Sequence, residues 1–300
     1  MKSYEEQYFD GLHKIMDKGV VCESGRQSTD SRVVRTKRTW GVDFEVDLQE
    51  EFPVLKSKHV AVKSAIREIL WIMSKQSNNI NDLIPHIWDK WANEDGGIGK
   101  SYGYQVHKPV SHNKCHYHDQ VTYVLELLEK DPSSRHGLID LWCPEELSQM
   151  NLVPCCHVSQ FAILNGRLNC MLTQRSGDYL VGVPFNTTQY AFLTIAFARH
   201  LGVEPGILLH HISDAHVYES QYGNFDTGEQ TESFKTLMQN NAALMSDRNP
   251  TGVRYMSSKP AVSILAKGTD FFVIGDDDFI IHNYKVGENC FPDIKFEVEA

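Results

Sequence analysis

The chain has 300 residues, 41% hydrophobic and 23% charged, the balance of an ordinary globular protein long enough to bury a substantial core. Its formal net charge of −10 argues against a general nucleic-acid binder, which needs clustered Lys and Arg, but leaves room for one small anion in a local basic pocket. Seven irregularly spaced cysteines suggest no disulfide framework and favour a reducing, cytoplasmic setting (the host cytoplasm if the gene is viral).

The opening segment reads as an amphipathic, acidic helix from about Tyr4 to Asp17, ending near Gly19, and not as a signal peptide. Residues 22–40 carry Arg26, Arg32, Arg35, Lys37 and Arg38 among Ser and Thr, and read as a polar, basic loop. A helix over about 60–75 has Ile66, Ile69, Leu70 and Met73 on one face, with Glu68 beside it. The segment 106–118 reads as a loop. Asp119 is a good N-cap for the next helix, whose stripe is Val121, Val124, Leu125 and Leu128 and whose stop is Asp131-Pro132. Residues 157–174 form the clearest strand signal, split by Asn165-Gly166, the strongest short hairpin turn. A helix over about 187–200 is apolar nearly all round and is expected at the centre of the core. Further strands are expected near 137–142, 207–213, 261–265 and 270–274. No apolar run approaches the ~20 residues that span a bilayer. No linker or repeat divides the chain. The expectation is one α+β domain over residues 1–300, a mostly β core with several helices.

Chemistry-bearing residues stand out against this frame. Cys155 lies about ten residues before the Asn165-Gly166 turn and Arg175 about ten after, so pairing about the turn brings thiol and guanidinium to one open end, on strands ~4.8 Å apart. A thiolate beside positive charge is a strong nucleophile, whereas Cys155-Cys156 as two small core residues would be inert. Arg175-Ser176 at a strand end can hold a phosphate, or can form a solvated turn with Asp178. Trp88 and Trp91, three apart on one helical face, can stack on a flat ring or simply pack in the core. Gly96-Gly97-Ile98-Gly99-Lys100-Ser101 lacks the first glycine of a phosphate-binding loop, since Glu94 stands there. His112, Cys115, His116 and His118 match no zinc-ligand spacing, so no metal is expected. Asp276-Asp277-Asp278 reads as a turn.

Pro154-Cys155, Gln174-Arg175-Ser176-x-Asp178, Gly182-x-Pro184-Phe185-Asn186-x-x-x-Tyr190 and Asp214-x-His216-x-Tyr218 together resemble the signature series of the thymidylate synthase family. The resemblance spans nearly the whole chain, through Phe52-Pro53, Glu68-Ile69-Leu70-Trp71, Trp88-Asp89-x-Trp91, Tyr102-Gly103 and Asp131-Pro132-x-Ser134-Arg135. In that pattern the nucleophile follows the proline and a Gln lies six after it. Pro154 and Gln160 keep this spacing, which selects Cys155 over Cys156.

The resemblance implies a mixed-sheet fold that dimerises through its sheet, and a homodimer binding dUMP and a reduced folate. It implies a one-carbon transferase that makes dTMP and dihydrofolate from dUMP and 5,10-methylenetetrahydrofolate. Cys155 would attack C6 of the uracil. Arg175, Ser176, Arg26 (or Arg32 or Arg35 of the longer loop) and a neighbour's Arg135 would hold the phosphate. Asn186 would read the base, and His216 and Tyr218 the 3′-hydroxyl. Asp178, Gly182, Trp88 and Trp91 would line the folate site, while Glu68 and Tyr102 would handle protons. There are departures: Cys156 stands where His is common, and His136 where a second Arg is. A hydroxymethylase sharing the same first steps, a catalytically silent nucleotide-binding dimer and a cysteine hydrolase are the other classes considered. Retention of Cys155, Glu68, Tyr102, Arg175 and Asn186 argues against the silent dimer, and no orienting partner for His157 stands out to serve a hydrolase.

Overall fold

The computed structural model describes residues 1–27, 33–83, 88–246, 259–284, 294 and 296, the side chains of 25–27 excepted. Ser3 opens α1 (Tyr4–Lys18) with a reciprocal cap: its hydroxyl accepts from the Glu6 amide while the Glu6 carboxylate accepts from the Ser3 N–H. Two strands follow, β1 (Val20–Gln27) and β2 (Val33–Asp47). The expectation of a loop over 22–40 is therefore corrected. Most of that basic stretch is strand, because β2 pairs with a distant partner from Thr36↔Tyr218 to Asp47↔Ile207, and backbone pairing outweighs polar composition.

Next come α2 (Val62–Met73) and the short α3 (Tyr102–Val106). The segment expected as a loop contains a small hairpin, β3 (Val110–His112) and β4 (Cys115–Tyr117), turned by Asn113 and Lys114 at positive φ. Helix α4 (Gln120–Lys130) is capped by Asp119, which accepts from the Thr122 amide at 2.8 Å. Beyond it lie β5 (Leu138–Asp140), β6 (Cys156–Leu164) and β7 (Arg167–Asp178). Asn165 and Gly166 have φ of 52° and 72°, both left-handed, as a tight hairpin turn of matching twist requires.

Helix α5 (Gly182–Leu201) begins about five residues before its expected start. Pro184 lies in its first turn, where a missing N–H breaks no helical bond, so Gly182-x-Pro184 looks like a breaker and is a beginning. The chain continues through β8 (Glu204–Tyr218), α6 (Glu219–Tyr222), α7 (Glu232–Met245), β9 (Ala261–Ile264) and β10 (Phe279–His282). The strand expected at 270–274 is a 3-10 turn, Phe271–Val273, because Asp270 caps it through the Phe272 amide. The acidic run is a turn as expected, with Asp277 and Asp276 paired to Arg67 and Lys75.

The main sheet has the order β1-β2-β8-β7-β6-β5 and is mixed: β7 and β8 are parallel and every other neighbouring pair is antiparallel. Helices α1, α4 and α5 pack on it, and α2 packs on α5. Helix α5 is buried nearly all round, with Phe192, Leu193, Ala196 and Phe197 fully covered, as its lack of a polar face required. Along β7 and β8 the inward residues Cys170, Leu172, Leu208 and Ile212 are covered, while Met171 and its register partner Leu209 stay 45% and 40% exposed on the other face. Leu138, Gln160, Met171, Leu209 and Glu45 form one row across that face.

Tight packing fixes α3 against the turn that ends α2. A Cβ at Gly103 would lie 2.0 Å from the Ser77 carbonyl oxygen. Gly103→Ala is expected to cost about 1–3 kcal/mol of unfolding free energy in urea titrations, since backbone must move to admit it.

Candidate active site

The C-terminal ends of the parallel strands β7 and β8 meet the first turn of α5 at one end of the sheet, and the chemistry collects there. Cys155 sits just before β6, half-buried, and Cys156 is the buried first residue of the strand. As the hairpin argument expected, the Arg175 amide donates to the Cys155 carbonyl at 2.9 Å, and its guanidinium lies 3.8 Å from the Cys155 sulfur. That guanidinium is steered by the carbonyls of Pro154 at 3.0 Å and Val153 at 2.8 Å, and by the Trp142 ring, whose centroid is 5.8 Å away. The Tyr102 hydroxyl accepts from the Cys155 amide at 3.1 Å, which brings α3 to the thiol. Burial pushes the Cys156 thiol and the Tyr102 hydroxyl well above their ordinary values.

Asp178 ends β7 opposite His216 on β8. Its carboxylate accepts from the Leu180 and Val181 amides and from Gln221, while burial raises it against those bonds. Gly182 lies against Asp178 and Asn186. The His216 and Tyr218 rings stand 5.1 Å apart, and Asp214, which pairs with Arg38, lies beside His216.

A string of buried polar groups links this end of the sheet to α2. Trp88 donates to Glu68 at 2.9 Å, Gln189 donates to the other Glu68 oxygen at 2.8 Å, and Asn186 donates to Gln189 at 3.0 Å. Gln174 in turn donates to the Asn186 oxygen at 3.1 Å and to the Ser176 carbonyl at 2.9 Å, and bonds His210 at 2.8 Å. Burial raises Glu68 to about 7, partly offset by its two donors, and lowers His210 to about 3, so that histidine is neutral.

The structure thus brings together Cys155, Arg175, Ser176, Asp178, Gly182, Asn186, His216, Tyr218, Glu68, Tyr102 and Trp88. Trp91 stands beside Trp88 at 5.7 Å between rings; Trp88 precedes and Trp91 ends a 3-10 turn, Asp89–Trp91, so the two do not share one face of a longer helix. Arg135 is exposed ahead of β5, its carbonyl accepting from Gln160 at 3.5 Å. Arg32 and the side chain of Arg26 lie outside the described residues, and Arg35 is held by Glu219 and Asp226. Among the described residues no cluster of His, Cys, Asp or Glu fits a metal ion. The residues that the sequence reading missed are Gln189, His210, Gln221 and Trp142. The one available signal was weak, a glutamine three after Asn186 inside a mostly apolar helix.

The family profile described as thymidylate synthase matches residues 6–299. The chain is 38% identical over 224 residues to a thymidylate synthase of Clostridium beijerinckii, covering 74% of this chain and 80% of that protein. It is also similar to the solved thermostable thymidylate synthase A from Bacillus subtilis, with a TM-score of 0.80 and 32% identity, covering 100% of this chain and 99% of that one.

The Glu68 environment generates a pH prediction. Folded Glu68 keeps its proton up to about pH 7, whereas the unfolded chain loses it near 4.5. Between those values the folded state binds more protons, so this group's contribution falls by on the order of 3 kcal/mol as pH rises through the window. Glu68→Gln is expected to flatten that slope in stability measured from pH 4.5 to 7.5, and to remove a carboxyl infrared band titrating near 7.

Proposed function

The chain belongs to the thymidylate synthase family, and from that premise we propose how its own residues carry out the conversion of dUMP and 5,10-methylenetetrahydrofolate to dTMP and dihydrofolate. The chain is a one-carbon transferase of this type. The observation that carries the residue assignment is the Cys155 sulfur facing Arg175 at 3.8 Å, at the end of the sheet where the Glu68–Gln189–Asn186 string also ends.

The folate supplies the methylene carbon and the hydride. Cys155 supplies the thiolate that bonds C6 of the uracil, and Arg175 faces it with positive charge. Arg175 and Ser176 hold the phosphate, joined by Arg26 near the end of β1 and by Arg135 from a second subunit. Asn186 reads the base: each edge of its amide has one bond made and one left, an acceptor for N3–H and a donor for O4. His216 and Tyr218 face the deoxyribose. Asp178, Gly182, Trp88 and Trp91 receive the pterin. Glu68 and Tyr102 move protons to and from C5 and the folate nitrogen, and a carboxyl near 7 is suited to both directions. Related hydroxymethylases use the same nucleophile and folate but add water in place of hydride; that both similar proteins are thymidylate synthases favours the synthase.

The active species is a homodimer working in the cytoplasm. Support for the dimer is the row of Leu138, Met171 and Leu209 on the sheet face that bears no helix, with exposed Arg135 ahead of the edge strand β5. Sedimentation should give twice 34.2 kDa. Leu209→Arg should give monomers with greatly reduced activity, and a fully active monomer would be incompatible with the dimer.

With dUMP and methylenetetrahydrofolate, the product identified by mass should be dTMP, with dihydrofolate appearing by absorbance. Cys155→Ser should lose at least 1,000-fold in kcat, roughly the cost of removing a covalent nucleophile, while Cys156→Ser stays within about tenfold. The opposite ranking, or a hydroxymethyl product without dihydrofolate, would count against the assignment.

A further inference from the structure

Gln189 is 2% exposed on the mostly apolar helix α5, and it makes two bonds, accepting from Asn186 at 3.0 Å and donating to Glu68 at 2.8 Å. We infer that Gln189 is a positioning residue for the reaction, tying the proton-handling carboxylate of Glu68 directly to the base-reading amide of Asn186. The inference rests on the roles proposed above for those two residues.

The directions of the bonds follow from one fixed end, with the other consistent. An indole N–H can only donate, so the Glu68 oxygen facing Trp88 accepts. A backbone carbonyl can only accept, so the Gln174 atom facing the Ser176 carbonyl is nitrogen. From that end Gln174 nitrogen meets Asn186 oxygen, Asn186 nitrogen meets Gln189 oxygen, and Gln189 nitrogen meets the remaining Glu68 oxygen. The backbone end alone thus orients all three amides, which would otherwise be ambiguous, and an ionised Glu68, acceptor on both oxygens, agrees with it.

Gln189 is suited to this by place and by length. It lies three residues after Asn186, on the same face of α5, where α5 packs on α2. Its amide presents an acceptor to one neighbour and a donor to the other, and spans the gap without an intervening group. The donor end favours ionised Glu68, opposing the effect of burial. Among the described residues, the titratable groups that feel the Glu68 charge are Tyr102 on α3 and Cys156 on β6, and burial keeps both neutral through neutral pH. A limb near pH 7 that Glu68→Gln removes is then that of Glu68, and not of the nearby Cys155 thiol.

The test is the pH profile of kcat/KM for dUMP in wild type, Gln189→Met, Gln189→Glu and Glu68→Gln. Gln189→Met keeps the volume and removes both bonds. It should lower kcat/KM about 10–100-fold and move the acid limb up by about one pH unit, since ionised Glu68 loses a donor. Gln189→Glu can share one proton with Glu68 and keep both bonds. It should recover much of the loss at acid pH and lose it again as pH rises, which a space-filling role would not produce. If the limb stays in place in Gln189→Met, or if Gln189→Glu and Gln189→Met fall together at every pH, the tie is overturned and the role of Glu68 stands. A limb that survives Glu68→Gln instead overturns the role given to Glu68, and with it this inference.

Discussion

Parallel pairing of β7 with β8 imposes a return journey on the chain. Antiparallel neighbours need only a turn, but a parallel partner must start again at the far end of the sheet. The twelve residues of β7 run about 40 Å. The twenty residues of α5 rise about 30 Å, and the short segments at either end of the helix supply the rest. One consequence is that the last residues of β7, the last of β8 and the first turn of α5 all lie at the same end. Ser176, Asp178, His216 and Asn186 owe their proximity to that single crossover. The β6–β7 hairpin then adds Cys155 to the group, because its turn lies at the opposite end.

The same helix must be buried on all sides and yet deliver polar side chains to the cleft. A buried polar group left without a partner costs about 1–3 kcal/mol, so isolated polar residues on α5 would be a liability. The molecule meets this by stringing them together. Thr187 donates to the Val183 carbonyl and bonds His210, Asn186 and Gln189 bond one another, and the string ends at Glu68 and at Gln174. In a low-dielectric interior such strings gain from mutual polarisation and hold each member in one orientation. Rigidity at the reacting end is thus produced by the constraint that burial sets.

Much of this was legible from local patterns. Asn165-Gly166 named its own turn, Asp119 its own cap, and the run from Tyr190 to Phe197 its own burial. The proximity of Cys155 and Arg175 followed from counting outward from one turn. What was not legible depended on distant partners. Nothing within residues 22–40 shows that β8 will pair with them, and a glycine and a proline at 182 and 184 hide the start of α5. Gln189 reads as an unremarkable helix former until Glu68, 121 positions away, is brought against it. The separate contributions of Trp142 and Gln221 are invisible for the same reason.

The two adjacent cysteines show how far one step along a chain can change chemistry. Cys155 stands before the strand, where its sulfur faces a guanidinium and the cleft. Cys156 enters the strand and points into the core, within reach of the Glu68 charge, and burial holds it as a neutral thiol. Family resemblance often places a histidine there, a side chain that would offer its own donor or acceptor. A neutral thiol is a weak donor and a weak acceptor, so it scarcely competes for the carboxylate. With Cys156 in place, the two donors that meet Glu68 are Trp88 and Gln189, one on each oxygen. The buried thiol and the two donors thus surround one carboxylate, and the glutamine carries the connection of that carboxylate to the base-reading amide.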